Sequence, residues 1–457
     1  RFQLRSGLDQ YTNTLKEKIM KAPHFAIIGA GTAGLATAIL LAREGHQVTI
    51  FEHVDELSPV GAGLLLQPAG LAVFEHLGVL DQALKLGAKV TGLEGQLADK
   101  RLLVNSHYHQ AEAHHFGLGI HRATLCHVLT EKLAEYSSHV TWRMGHRIDG
   151  LEELQSEVRI FGSCKYQFFD DCFDAVLIAN GARSQLRPKA WVKIDQPYPW
   201  GAAWTIVPEC LSLNPEILHQ FYDRSNIMMG ILPTGAIPAA PQQRLSSVFW
   251  SLPTSQLQSF LKDESAKQQW LKQVSDRWPD VAEWFSQLLL DQQNQPQWLS
   301  AQYRDVVMSK FGQGRIGVIG DAAHAMSPQL GQGANMALLD AWAFSQSLSL
   351  ARKNQQIDWS ILWQHYHQHR RSSTQFYQFL SRLLTPLYQS NHWWAGSLRD
   401  LIFPWMYQIP YFRKEMAITI SGLKKGPLQQ MSYQQIAEYQ HHENRLITNN
   451  QSLPECE

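Results

Sequence analysis

The sequence predicts an α/β fold: a Rossmann-like nucleotide-binding core, an interleaved β-sheet domain and C-terminal helices. Three observations predict it. An apolar strand runs into Gly29-x-Gly31-x-x-Gly34, and a second strand ends at Glu52. Two later buried-strand patterns, Asp174–Gly181 and Arg315–Asp321, return to the same core. Between and after them the pattern changes, first to Pro-broken aromatic runs and then to helical periodicity.

Phe25 to Gly34 reads F-A-I-I-G-A-G-T-A-G. Gly29 allows the tight turn, Gly31 lets a phosphate approach the backbone, and Gly34 lets helix and strand pack closely. The candidate nucleotide contacts are therefore Gly29, Ala30, Gly31, Ala33 and Gly34. A helix starting near Thr32 points its unpaired N–H groups and positive dipole end at the phosphates. Glu52 lies 18 residues after Gly34, where a carboxylate can accept hydrogen bonds from a ribose. Phe25 to Ala42 is also an uncharged run of 18 residues, long enough to suggest a membrane span. Its strand-like start and three spaced glycines argue for the nucleotide-binding turn instead.

The remaining elements follow in chain order. Residues 1–21 read as an N-terminal extension, and residues 22–184 as the first part of the core. A loop runs from Val60 to Pro68 and opens a helix near Pro68. Residues 121–136 have helical spacing, and 139–171 alternate like short antiparallel strands. Residues 185–300 read as a β-rich substrate-binding domain with a helical stretch near 255–290. Residues 301–352 return to the core, and 353–457 form a C-terminal helical region. The 15 tryptophans read first as packing and second as the lining of an aromatic pocket.

Composition narrows the function classes. The 40 basic and 40 acidic residues balance, which argues against broad electrostatic binding of nucleic acid. The five cysteines show no C-x-x-C pairing, so no metal site is expected and a reducing, cytoplasmic setting fits. No integral membrane span is expected.

The returning strand reads G-V-I-G-D-A-A-H-A-M-S-P-Q-L-G-Q-G-A-N-M. Asp321 falls at the C-terminal end of a parallel strand, where α/β proteins bind ligands. Pro328 fixes a turn, and Gly331-Gln-Gly333 opens a helix with bare N–H groups that can stabilise negative charge on a bound ring.

With these motifs in order, the chain resembles the class A flavoprotein aromatic hydroxylases, the p-hydroxybenzoate hydroxylase-like family. Its C-terminal part is most similar to the salicylate and alkylquinolone hydroxylase branch. The resemblance implies an FAD-binding domain of the GR2 type, with Gly29, Ala30, Gly31, Ala33, Gly34 and Glu52 on the ADP half. It implies Arg122 against the phosphate–ribityl region, Asp321 on the ribityl chain and Gly63 in the loop beside the flavin. Gly331, Gly333, Ala334 and Asn335 would bring backbone amides to the ring, and Pro328 would influence the chemistry through its carbonyl. Asp174 and Arg183 belong to a motif linked to both FAD and NAD(P)H, although Ala179-Asn180-Gly181 departs from its usual turn. His324 reads as part of a structured turn.

The resemblance further implies NADH or NADPH as co-substrate and O2 as oxidant. One oxygen atom then reaches a small aromatic substrate through a C4a-hydroperoxyflavin. Trp204, Met228, Trp250 and Tyr303 are the substrate-side candidates, with His219 and Tyr222 as polar candidates for catalysis. The aromatic stretch Phe376–Ile420 reads as a pocket cover, a dimer surface or an interfacial helix, so the chain is a monomer or homodimer with room for peripheral membrane contact. The alternatives are a non-hydroxylating flavoprotein of reductase or halogenase type and a flavin-binding sensor.

Overall fold

The strand His24–Ile28 is buried from Phe25 onward and lies inside a six-stranded sheet. The computed structural model describes residues 22–57, 61–291, 295–353 and 356–438, so the extension read at 1–21 lies outside the described residues. The sheet order is Gly312–Gln313, Ile316–Val318, Ala175–Ile178, His24–Ile28, Gln47–Phe51 and Val140–Arg143. The four central strands run parallel, with Phe25 between Ala175 and Val48. Helices cover parallel sheets on both faces, which explains the unbroken apolar runs.

The helix α1 (Thr32–Arg43) is buried from Ala33 to Ala42. It packs against α2 (Gly333–Ala351), the helix opened by the Gly331–Gly333 turn. The long uncharged run of the sequence is thus one core strand and one core helix. No helix among the described residues is long and apolar enough to cross a membrane.

A second sheet has seven strands, in the order Leu299–Met308, Val192–Pro208, Ala240–Pro253, Ile227–Ile237, Ile217–Asp223, Gly92–Leu97 and Leu102–His107. It recruits residues 92–107 from before position 185 and closes with a strand that crosses position 300. The physical reason is edge pairing: Ile217–Asp223 runs parallel to Gly92–Leu97, a partnership between distant segments that no local pattern announces. Val140–Arg143 also differs from the antiparallel reading of 139–171, because it pairs parallel with Gln47–Phe51 at the edge of the first sheet. The three strands that follow, His146–Glu153, Val158–Cys164 and Gln167–Phe173, are antiparallel as expected.

Helices Thr254–Lys262, Glu264–Ser275 and Pro279–Leu290 cover the far face of the second sheet. There Trp250, Trp270, Trp278 and Phe285 form one buried cluster, so these tryptophans are packing. Gly63–Leu66, Gly117–His121 and Ala88–Val90 make a small sheet between the layers. The chain then runs into α3 (Trp359–Tyr388), α4 (Trp393–Gln408) and α5 (Pro410–Ile420). The helix α3 spans both layers, with Trp363 and Tyr366 in the first core and Tyr388 beside the second sheet.

Candidate active site

One cavity of about 770 Å³ runs from the Gly29–Ala33 turn to the inner face of the second sheet. Its nucleotide end is shaped by glycines. Gly29 has φ +111°, and a Cβ there would lie 2.6 Å from the Ala179 carbonyl oxygen. A Cβ on Gly34 would lie 2.0 Å from the Gly29 carbonyl oxygen, so only glycine allows this helix–strand approach. Gly31 has open space where its Cβ would be, and its backbone faces the cavity.

Glu52 ends the second strand and is pinned by backbone donors. Ala30 N–H donates to Oε2 at 2.9 Å, while His53 and Val54 N–H groups donate to Oε1 at 2.8 and 3.2 Å. This fixes the carboxylate at the cavity wall with lone pairs left for a ligand. Arg122 also lines the cavity, and its backbone N–H donates to Ala62 O of the loop at 3.2 Å. Asp321 opens onto the cavity and is exposed there. Desolvation by the surrounding cavity walls pushes its carboxyl up, opposed by the charges of His324 and Arg122.

The loop Gly61–Gln67 and the turn Pro328–Gly333 face each other across the cavity, joined by amides. Asn335 Oδ1 accepts from Gln67 N–H at 2.8 Å, and Asn335 Nδ2 donates to Leu65 O and Gly331 O at 3.1 Å each. Gln67 Nε2 donates to Leu330 O at 3.1 Å, and Gln332 bonds Gln67. From α3, Ser381 Oγ donates to Ser327 O at 3.1 Å and Thr385 Oγ1 donates to Ser327 Oγ at 2.9 Å. The Pro328 turn is therefore held from both sides.

The starts of α1 and α2 have no side-chain cap, and the residues at both starts line this one cavity. Uncapped helix N-termini are anion sites. A ligand with a pyrophosphate at one end and an electron-accepting ring at the other fits this arrangement.

Residues 24–377 match the model of the FAD binding domain family. The chain belongs to this family. Its cofactor is FAD. The chain is 28% identical over 364 residues to the FAD-dependent monooxygenase atnJ of Arthrinium sp, covering 76% of this chain and 80% of that protein. It is 24% identical over 379 residues to 2-heptyl-3-hydroxy-4(1H)-quinolone synthase of Pseudomonas aeruginosa, covering 82% and 92%. The fold is similar to that of p-nitrophenol 4-monooxygenase PnpA from Pseudomonas putida DLL-E4, with a TM-score of 0.69, 17% identity and coverage of 88% and 99%. The family match and these relatives set the chain among the class A FAD-dependent aromatic hydroxylases.

Most expected FAD-side residues meet in the cavity: Gly29, Ala30, Gly31, Ala33, Glu52, Gly63, Arg122, Asp321, Pro328, Gly331, Gly333 and Ala334 line it. Gly34 and Asn335 do not. Gly34 serves close packing, and Asn335 is fully buried as the brace between the two loops. Asp174 caps the first strand, accepting from His24 N–H at 2.7 Å, and Arg183 donates to Gln302 at 3.2 Å. His324 sits in the turn and bonds Asp340 at 2.6 Å, a structural role.

On the substrate side, Trp204, Met228 and Tyr303 line the cavity. Burial keeps the Tyr303 phenol well above its usual pKa, so it stays protonated. Trp250, His219 and Tyr222 do not line it. Trp250 lies between Phe249 and Ser251, and the two-residue period turns those neighbours inward and Trp250 outward. His219 alternates likewise with Leu218 and Gln220, and it bonds Asn214 O at 3.2 Å. Tyr222 shares the inward face but lies one pleat further on, beneath Tyr388. Sequence reasoning missed Leu218, Gln220, Ser247, Phe249, Ser251 and Gln389. Strand pairing, once known, would have found the first five; Gln389 lies at the end of α3 and is placed by the packing of that helix against the sheet.

Proposed function

We propose that the protein is a single-component FAD monooxygenase that uses NADH or NADPH and O2 to hydroxylate a neutral aromatic or heteroaromatic small molecule. One observation carries the reading: a single cavity joins a complete FAD cradle to an aromatic wall of Trp204, Phe249 and Tyr303. The names of the relatives, a quinolone synthase and 6-hydroxynicotinate 3-monooxygenase among them, support an aromatic or heteroaromatic substrate; its neutrality rests on the cavity wall alone.

Bound FAD supplies the oxygen-activating chemistry. The N–H groups at the start of α1 would hold its phosphates, with Glu52 and Asp321 on its hydroxyl groups. The N–H groups of Gly331, Gly333 and Ala334 would stabilise charge on its ring. Trp204, Met228, Phe249 and Leu232 exclude water from the reacting end, which keeps oxygen transfer ahead of peroxide loss. Of the described side chains that the seven-stranded sheet turns into the cavity, only Arg304 is charged, and its Nε donates to Asp195 at 2.9 Å. A carboxylate on the substrate finds no free cation on that wall, which favours a neutral ring.

Anaerobic stopped-flow reduction tests the reading. NADH or NADPH should bleach the flavin band, faster with a fitting aromatic ligand. A flavin that neither nucleotide reduces, with or without ligands, overturns it.

A further inference from the structure

Gln220 stands among the apolar residues of the substrate wall, only 8% exposed. Its two amide poles differ in their surroundings. The Tyr222 hydroxyl donates to Gln220 Oε1 at 2.6 Å. Gln220 Nε2 makes no hydrogen bond among the described residues, and it is left as the pole open to the cavity. Tyr222 is itself 2% exposed, with the Arg399 guanidinium 5.1 Å from its ring centroid and Tyr388 on the same cation. Burial pushes the Tyr222 phenol well above its usual pKa, and Arg399 only partly opposes this. The phenol therefore holds its proton, and in this geometry Gln220 Oε1 is the acceptor it finds.

From this geometry we propose that Gln220 Nε2 is a substrate-binding donor that takes an acceptor oxygen, such as a ring carbonyl or phenolic oxygen, of a neutral aromatic substrate. Tyr222 is a positioning residue that fixes which end of the amide faces the ligand. A site built to hydrogen-bond an oxygen rejects analogues lacking it, because its own buried donor is then left unpaired. The proposal rests on the reading of this cavity as the hydroxylase substrate site.

The test uses FAD-loaded enzyme and pairs of aromatics that differ only in a carbonyl or hydroxyl oxygen, with binding read from the flavin spectrum. Gln220→Leu should weaken oxygen-bearing ligands by about 10- to 100-fold and leave their deoxy partners unchanged. Tyr222→Phe should shrink the preference between partners while changing KM more than kcat, and adding it to Gln220→Leu should change nothing further. Retained FAD in each variant shows that folding is intact. If Gln220→Leu weakens both partners equally, the proposal fails while the functional reading stands. If no aromatic perturbs the flavin of the unaltered enzyme, the functional reading fails and the proposal with it.

A second observation stands apart from the cavity. The outward face of α4 is apolar where a surface helix should be polar. Trp393, Leu401 and Trp405 are 89%, 75% and 58% exposed, and Tyr411 on α5 continues the patch through Phe412, which lies near Trp405. Of the eight Lys and Arg in residues 359–426, Arg399 and Lys424 are buried against Asp400 and Glu415, and Arg370 and Arg382 pair with Asp340 and Asp305, which leaves Arg371, Arg413, Lys414 and Lys425 toward solvent. Arg413 and Lys414 are exposed on α5, next to Phe412 of the patch. The helices also touch the cavity: Gln389 after α3 and Ile420 at the end of α5 both line it.

We infer that this face rests on an anionic bilayer surface, beside the substrate cavity. Tryptophan, tyrosine and basic residues together suit the headgroup region. A second copy of the chain is the poorer fit, because a two-fold contact would set this basic face against itself. Sedimentation with phosphatidylcholine vesicles, with and without phosphatidylglycerol, tests it. Binding should require phosphatidylglycerol, weaken in high salt, and fall at least tenfold in the Trp393→Ala/Leu401→Ala/Trp405→Ala variant. Absence of vesicle binding, with a dimer that the same variant dissolves, overturns it. Equal binding by the variant also overturns it.

Discussion

Replacing Asp340 by Asn tests the buried network that shapes the FAD turn. Asp340 lies on α2 and is fully buried. Its Oδ2 accepts from Gly320 N–H at 2.7 Å and from His324 Nε2 at 2.6 Å, and its Oδ1 accepts from Arg370 Nε at 2.6 Å. Burial alone would raise the carboxyl, but the adjacent His324 and Arg370 charges hold it well below the usual carboxylate range. Asn keeps the shape and removes the charge, leaving Arg370, 1% exposed, with no counter-ion in that network. Removing one partner of a buried pair costs about 3–5 kcal/mol, a large part of a domain's roughly 5–15 kcal/mol. With an m-value of about 3 kcal/mol/M, the urea midpoint of the FAD-loaded protein should fall by about 1–2 M. The turn at Gly320, with φ +61°, positions Asp321, so FAD should also be lost at lower urea. Because the folded pKa is depressed, this contribution is fully present above about pH 4 and fades only as pH falls below it. A variant with a midpoint within about 0.3 M of the parent, and unchanged FAD retention, would refute the reasoning.

Three further outcomes follow from the same geometry. Gly34→Ala should abolish FAD retention or folding, since its Cβ would lie 2.0 Å from the Gly29 oxygen; an FAD-replete variant contradicts this. Glu52→Leu should weaken FAD binding by about tenfold or more, read by equilibrium dialysis, because it removes a hydroxyl acceptor and unpins the Ala30 N–H. His46 and His76 have pKa values lowered to about 4, first by burial and then by the charges of Arg352 and Arg43. Between pH 6.5 and about 4 the unfolded chain takes up protons that the folded chain refuses, so stability should fall with pH across that window, by up to about 3 kcal/mol per histidine. A urea midpoint that stays flat over this range contradicts it.

The FAD end of the site was legible because its constraints are local. Gly29 and Gly34 are glycines for steric reasons that any reader of the spacing can state, and Glu52 follows at the end of the next strand. The Pro328–Gly333 turn was legible for the same reason. The substrate end was not. Gln220 and Ser251 reach the cavity only because strands far apart in sequence pair in one register, and Gln389 Nε2 meets Ser251 Oγ at 2.7 Å across 138 residues. A slip of one residue exchanges Trp250 for Ser251 and His219 for Gln220. Trp250 misled in the same way, a pocket candidate in sequence and core in the fold, whereas the first reading of the tryptophans as packing holds for Trp270 and Trp278. The recruitment of residues 92–107 into the second sheet was invisible because it depends on a parallel partner more than a hundred residues away.

The proposed reaction is oxygen transfer from FAD to a neutral aromatic ring. Oxygen uptake by FAD-loaded protein with NADH or NADPH, across phenols, quinolones and N-heteroaromatics, tests it most directly when product and peroxide are measured together. One neutral, oxygen-bearing compound should stimulate uptake and be recovered as a hydroxylated product with little peroxide. Uptake that no compound stimulates, or that returns entirely as peroxide for every compound, would contradict it.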